Sequence, residues 1–213
     1  IIMALVKYND RSLRNLTTVP AAVTGNSPGA LVHIKTLTAS SSSTLSFVDG
    51  SDSVVLDNTY PIYKFEFINI HPATNNADFT FQADTGTNTN YNQTMTTTSW
   101  RGYHSEDDSE AAIGYDPGRD QAQGTAFQVL AHEIGNGNDE NIAMTLTLFN
   151  PSSSVFVKHF IATNNINHNS GLSENKFVAG YFNTTTALTR VQFKMSSGNI
   201  DAGQIKLYGI KDA

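Results

Sequence analysis

Asn141-Ile142-Ala143-Met144-Thr145-Leu146-Thr147-Leu148-Phe149-Asn150 is the stretch whose reading decides the fold class. Ile142, Met144, Leu146 and Leu148 fall on one face, with Ala143, Thr145 and Thr147 on the other. A period of two is the spacing of a half-buried β-strand. Asn150-Pro151-Ser152-Ser153-Ser154 follows as a turn, with a proline that cannot donate to a ladder. The run from Ser154 to Ala162, rich in Val and Phe, reads as a second strand returning from that turn. Leu188 to Met195 alternates Val191, Phe193 and Met195 against Arg190, Gln192 and Lys194. Gln204 to Lys211 closes the pattern.

Working outward, Gly29 to Ala39 reads as the first core strand, centred on Leu31 and Val32. Thr44 to Val48 and Val54 to Leu56 are expected to form a hairpin about Asp49-Gly50, since Asp-Gly between apolar runs is a strong hairpin signal. Tyr60 to Ile70 places Tyr63, Phe65 and Phe67 on one face, and Phe79 and Phe81 mark another strand. Asn92 to Ser99 reads as a Thr-rich edge strand, and Trp100 begins a short run to His104. Ser105 to Gly124 breaks the alternation with Glu106, Asp107, Asp108, Glu110, Asp116 and Asp120, and reads as a long loop. No segment carries a helical period. Many short strands at turn-separated intervals predict an all-β fold, an antiparallel jelly-roll-like sandwich over residues 29–213. Residues 1–28 carry little periodicity and read as an extended N-terminal arm, or alternatively as one more edge strand. Met3 reads as a natural start, with Ile1 and Ile2 in front of it.

The 213 residues suffice for one large core. The absence of cysteine excludes a disulfide framework and thiolate metal sites. Charged residues are 15% of the chain, and Thr, Ser and Asn supply the polarity instead. A net charge of −6 argues against a nucleic-acid partner. No apolar run approaches the roughly 18 residues that span a bilayer as a helix, so no membrane partner is expected.

His132-Glu133 could open a zinc-protease signature, but that motif needs a second histidine at position 136, which is Asn. Asp49, Asp52, Asp57 and the Asn138-Asp139-Glu140 loop offer oxygens for calcium, without the spacing of an EF-hand. Turn formation accounts for the same residues, and no cofactor is expected. Trp100, Tyr103, His104, Asp107 and Asp108 form the candidate ligand site. Trp100 and Tyr103 could stack on a sugar ring while the carboxylates bond its hydroxyls. A glycosidase carboxylate pair in the same loop is the enzymatic alternative, and a solvated acidic loop is the bland one. There is no G-x-S-x-G elbow and no phosphate-cradling loop. The sequons at Asn15, Asn92 and Asn183 are unsurprising in so Asn- and Thr-rich a chain.

The C-terminal half carries a resemblance. Its residues are Gly135-Asn136-Gly137-Asn138-Asp139-Glu140, the strand and Asn150-Pro151-Ser152 after it, Gly180-Tyr181, Thr184-Thr185-Thr186-Ala187-Leu188-Thr189, Ser197-Gly198-Asn199 and Gly203-Gln204-Ile205-Lys206-Leu207-Tyr208-Gly209-Ile210-Lys211. This pattern resembles the β-sandwich domain of structural proteins of tailed bacteriophages, especially those of marine and cyanobacterial hosts. The run from Met3 to Leu13 is similar to the start of fibre-like proteins of such phages. The resemblance implies a non-enzymatic virion component, in a tail fibre, appendage or capsid decoration, assembled as a homo-oligomer, often a homotrimer. It implies that residues 3–28 anchor it to other virion proteins. A host surface glycan or receptor is the alternative partner, and a polysaccharide-degrading enzyme the third reading.

Overall fold

The structure is a computed structural model that describes residues 30–211. The arm expected over residues 1–28 lies outside the described residues. Among the described residues there is no helix, and every strand pairing is antiparallel. In chain order the strands are β1 (Leu31–Thr38), β2 (Leu45–Val48), β3 (Ile62–Pro72), β4 (Ala77–Thr85), β5 (Met95–Ser105) and β6 (Ala111–Tyr115). They continue with β7 (Gln128–Ile134), β8 (Ile142–Phe149), β9 (Lys158–His168), β10 (Leu172–Phe182), β11 (Leu188–Met195) and β12 (Ile200–Ile210).

The strands make one hydrogen-bonded sheet of twelve, nearly closed on itself, in which two layers can be traced. The larger runs β1-β12-β3-β8-β9-β10-β5-β6, and the smaller β2-β11-β4-β7. Their backbones meet at one pair, Ile134 with His168. With the hairpins β5–β6 and β9–β10 set aside, successive strands alternate between the layers except at β4 and β7, which pair with each other in the smaller one. Both hairpins extend the larger layer, and they pair with each other from Leu172↔Ser105 to Phe182↔Met95.

The period-two runs supply the core. Ile142, Met144, Leu146 and Leu148 are buried, as are Tyr63, Phe65 and Phe67 from β3 and Val191, Phe193 and Met195 from β11. Phe193 is the hub between layers. Its ring centroid lies 5.0 Å from Phe67, 5.5 Å from Phe65 and 5.9 Å from the stacked ring of Phe79. Each fully buried large apolar side chain contributes about 1.5–3 kcal/mol relative to exposure.

Several local expectations change. The segment from Val54 to Leu56 buries Val54 and Leu56 without forming a strand, because β2 pairs with β11 and not with it. The first strand is an edge strand with Leu31 exposed. The returning strand starts at Lys158, leaving Val155 and Phe156 exposed on the preceding loop. The supposed long loop contains β6, and Trp100 lies within the continuous strand β5. One glycine is demanded by a bulge. Gly203 has φ +112 where β12 shifts register against β3, and a Cβ there would meet Asn69 O at 2.5 Å.

Candidate functional site

The four strands β9, β10, β5 and β6 carry opposite chemistry on their two faces. Alternation puts Glu174 and Lys176 of β10 on the core side, in line with Leu172, Val178 and Phe182. Arg101 of β5 and His168 of β9 point to the same side and join them in one network. A bulge in β7 completes it. His132 and Glu133 oppose the single residue Asp78 of β4, and Glu133 takes φ +52. The bulge re-aims His132 toward β10, as such irregularities do.

Glu174 has no exposed surface, and its Oε2 accepts from Arg101 Nη1 at 2.7 Å. Arg101 Nη1 also lies 2.9 Å from His132 Nε2. A guanidinium only donates, so Nε2 accepts, and Nδ1 lies 3.1 Å from Glu174 Oε1. Lys176 bonds Asp116 and stands 3.3 Å from His132 Nδ1. His168 Nε2 lies 3.2 Å from Glu133 Oε2, and Glu133 is also held by Arg119, which bonds Asp78 at 2.7 Å. Burial pushes the Glu174 carboxyl up, but the His132 and Arg101 partners outweigh it and hold it below the ordinary value. Burial, and then the neighbouring His132, push His168 down. Burial also lowers Lys176, against the pull of Asp116.

His132, His168 and Glu174 offer ligand atoms within 4.8 Å of one another. That grouping has the residue types of a divalent metal site, yet the surroundings do not fit one. A metal-bound imidazole donates its other N–H to an acceptor. Here His168 Nδ1 accepts from the Ser170 N–H at 3.2 Å, and each nitrogen of His132 has a cation beside it. The trio is a buried charge network. Arg101, Arg119 and Lys176 stand against Asp78, Asp116, Glu133 and Glu174 around two histidines.

The outer face of the same strands contains no Asp, Glu, Lys or Arg. Its rows are His159–Tyr181–Thr96, Ile161–Ala179–Thr98, Thr163–Phe177–Trp100–Tyr115, Asn165–Asn175–Gly102–Ile113 and Asn167–Ser173–His104–Ala111. Trp100 is 39% exposed, Tyr115 54% and Ile113 77%. A trough of about 400 Å³ crosses this face over Thr96, Thr98, Ile161 and Ala179, with His159 and Tyr181 at one side.

The expected site residues do not converge. Trp100 and Tyr103 differ by an odd number of positions on one strand, so they point to opposite faces. The Trp100 ring is stacked on Phe177, with centroids 4.0 Å apart and planes at 8°, so one of its broad faces is already covered. Tyr103 lies under the Arg101 guanidinium, 5.1 Å from its ring centre. His104 Nε2 lies 3.0 Å from Asp108 Oδ1 at the hairpin tip, and Asp107 Oδ1 accepts from the Ser109 N–H. That bonding from Ser109 lowers the Asp107 carboxyl, opposite to the shift a general acid needs. Four of the calcium candidates have partners of their own. Asp49 accepts from Leu56 N, Asp52 pairs with Lys35, Asp57 accepts from Thr59 N and Glu140 closes its own turn on Gly137 N.

The sequence reading missed Arg101, His168, Glu174 and Lys176. The available signal was parity, since Glu174 and Lys176 share the register of Val178 and Phe182. No protein-family model, curated protein or solved structure matches this chain.

Proposed function

We propose that this protein is a non-enzymatic surface component of a phage particle, a tail fibre, appendage or capsid decoration whose sandwich packs against neighbouring subunits. The observation that carries the reading is the inverted sheet extension, which buries its charges and leaves an uncharged, aromatic-bearing face outside. Surface faces of this kind mark contact with another macromolecule, and the phage-like pattern of the C-terminal half supplies the kind of particle. The test is direct. Mass spectrometry of purified particles, with antibody labelling in the electron microscope, should find the chain at a fixed copy number. Its absence from particles refutes the assignment.

A second reading, binding of a host glycan, is favoured by the trough beside Tyr181 and His159. Purified protein should then block adsorption to host cells, and Tyr181→Ala with His159→Ala should remove the block while the protein stays folded. Unchanged blocking places the binding surface elsewhere.

A further inference from the structure

The outer edge of β6 shows which contact the uncharged face makes. Among the described residues, β6 pairs only with β5. The register is unbroken from Trp100↔Tyr115 to His104↔Ala111. Asp116 N donates to Ser99 O, and Ser105 N donates to Glu110 O. Hydrogen bonding alternates along an antiparallel pair, so Ala112 and Gly114 direct their backbone groups to β5. Ala111, Ile113 and Tyr115 therefore direct their N–H and C=O groups away from the sheet. The strand is exposed along its whole length and uncharged, and it carries no proline, lysine or bulge. Those are the devices by which sheet edges are kept from pairing.

We infer that β6 pairs antiparallel with β6 of a second copy of this chain, about a two-fold axis at Ile113, joining two sheets into one. The strand is complementary to itself in that register. Ile113 meets Ile113 of the second copy, and small Ala111 meets large Tyr115. Every residue in these pairs presents its free backbone groups to the other strand. All of these side chains lie on the uncharged face, which then continues across the axis.

Charge favours this occupant and this direction. The chain carries a net charge of −6, so two copies approach best where neither presents a charge. The acidic tip (Glu106, Asp107, Asp108 and Glu110) adjoins one end of β6, and at the other end Asp116 is paired with Lys176. Antiparallel pairing holds the two tips at opposite ends of the joint, whereas parallel pairing would set them side by side. This is a two-fold assembly and differs from the homotrimer that the phage resemblance implies. It rests on the edge of β6 and not on the virion reading, so a dimer absent from particles would refute that reading alone.

The test is sedimentation equilibrium of the full chain over a concentration series. The wild type should pass from monomer to dimer. Ile113→Lys and Ile113→Glu should each raise the dimer Kd by at least roughly tenfold, because each puts like charges face to face at the axis. Mixing the two variants should restore the dimer, since Lys then meets Glu. Ile113→Pro removes an outward N–H without touching the β5 ladder, and it should weaken the dimer while far-UV circular dichroism stays unchanged. A wild type that is monomeric at all soluble concentrations, or trimeric, overturns the inference. So does association that survives Ile113→Lys, or a mixture of folded variants that does not recover.

Discussion

Removing either partner of the Arg101–Glu174 pair should destabilise the protein, but by unequal amounts. Glu174 has no exposed surface, whereas the Arg101 side chain is 33% exposed. In Arg101→Met the carboxylate stays buried and keeps only the off-axis contact from His132. An uncompensated buried charge of this kind costs about 3–5 kcal/mol. In Glu174→Gln the carboxamide keeps the shape, and the guanidinium can swing toward water. Solvent screening of that partly exposed cation reduces the cost to about 1.5–3 kcal/mol, the range for a lost charged hydrogen bond. The double variant Arg101→Met, Glu174→Met removes both charges, and it should recover much of the loss seen in Arg101→Met. Urea unfolding of the wild type and the three variants, with equal m-values as the control, compares these costs directly. If Glu174→Gln costs as much as Arg101→Met or more, the network is not organised around a buried carboxylate and the reasoning fails.

Acidification should weaken the same region. His168 is held below its ordinary value of 6.5, so the unfolded chain binds a proton first. The stability is complete above about pH 6.5 and is lost as the pH falls from there through the depressed value. Glu174 is also lowered, from 4.5, and adds a second loss below that. His168→Gln should flatten the upper part of the profile of Tm against pH, and an unchanged slope would rule His168 out. Lys158 has no exposed surface, and its ammonium bonds the carbonyls of Ser153, Phe156 and Thr184 at 2.6, 3.0 and 3.1 Å beneath the thin loop before β9. Lys158→Met should cost about 1–3 kcal/mol and open that loop to proteolysis near Phe156, and unaltered cleavage would show the loop held by other contacts. Gly203→Ala should cost more than about 2 kcal/mol, because both its φ and the Asn69 carbonyl oppose a side chain. A neutral result in urea unfolding would refute that bulge geometry.

The all-β class was legible because the core strands are written in period two. Ile142 to Leu148, Tyr63 to Phe67 and Val191 to Met195 each bury the face their alternation designates. The candidate site was less legible because its strands break the rule behind that reading. In β10 the inward positions include Glu174 and Lys176, and in β6 the residues are apolar on a fully exposed strand. Reading polarity as exposure inverts both. Charges satisfied by residues from β4, β5, β7 and β9 leave no local trace, since the partners of Glu174 lie at positions 101 and 132. Trp100 and Tyr103 failed as a joint platform for a simpler reason. Three positions apart on one strand, they are near in sequence but point to opposite faces.

The two hairpins that lengthen the larger layer enter at separate points, one between β4 and β7 and one between β8 and β11. Their longest shared boundary is with each other, along β10 and β5. Without the first, Glu174 and Lys176 would lose Arg101 and Asp116. Without the second, β5 would have no strand of the body beside it. Such additions are interdependent over evolutionary time. Sequence variants that lack one hairpin should lack both, and those that lack both should keep the eight-strand frame.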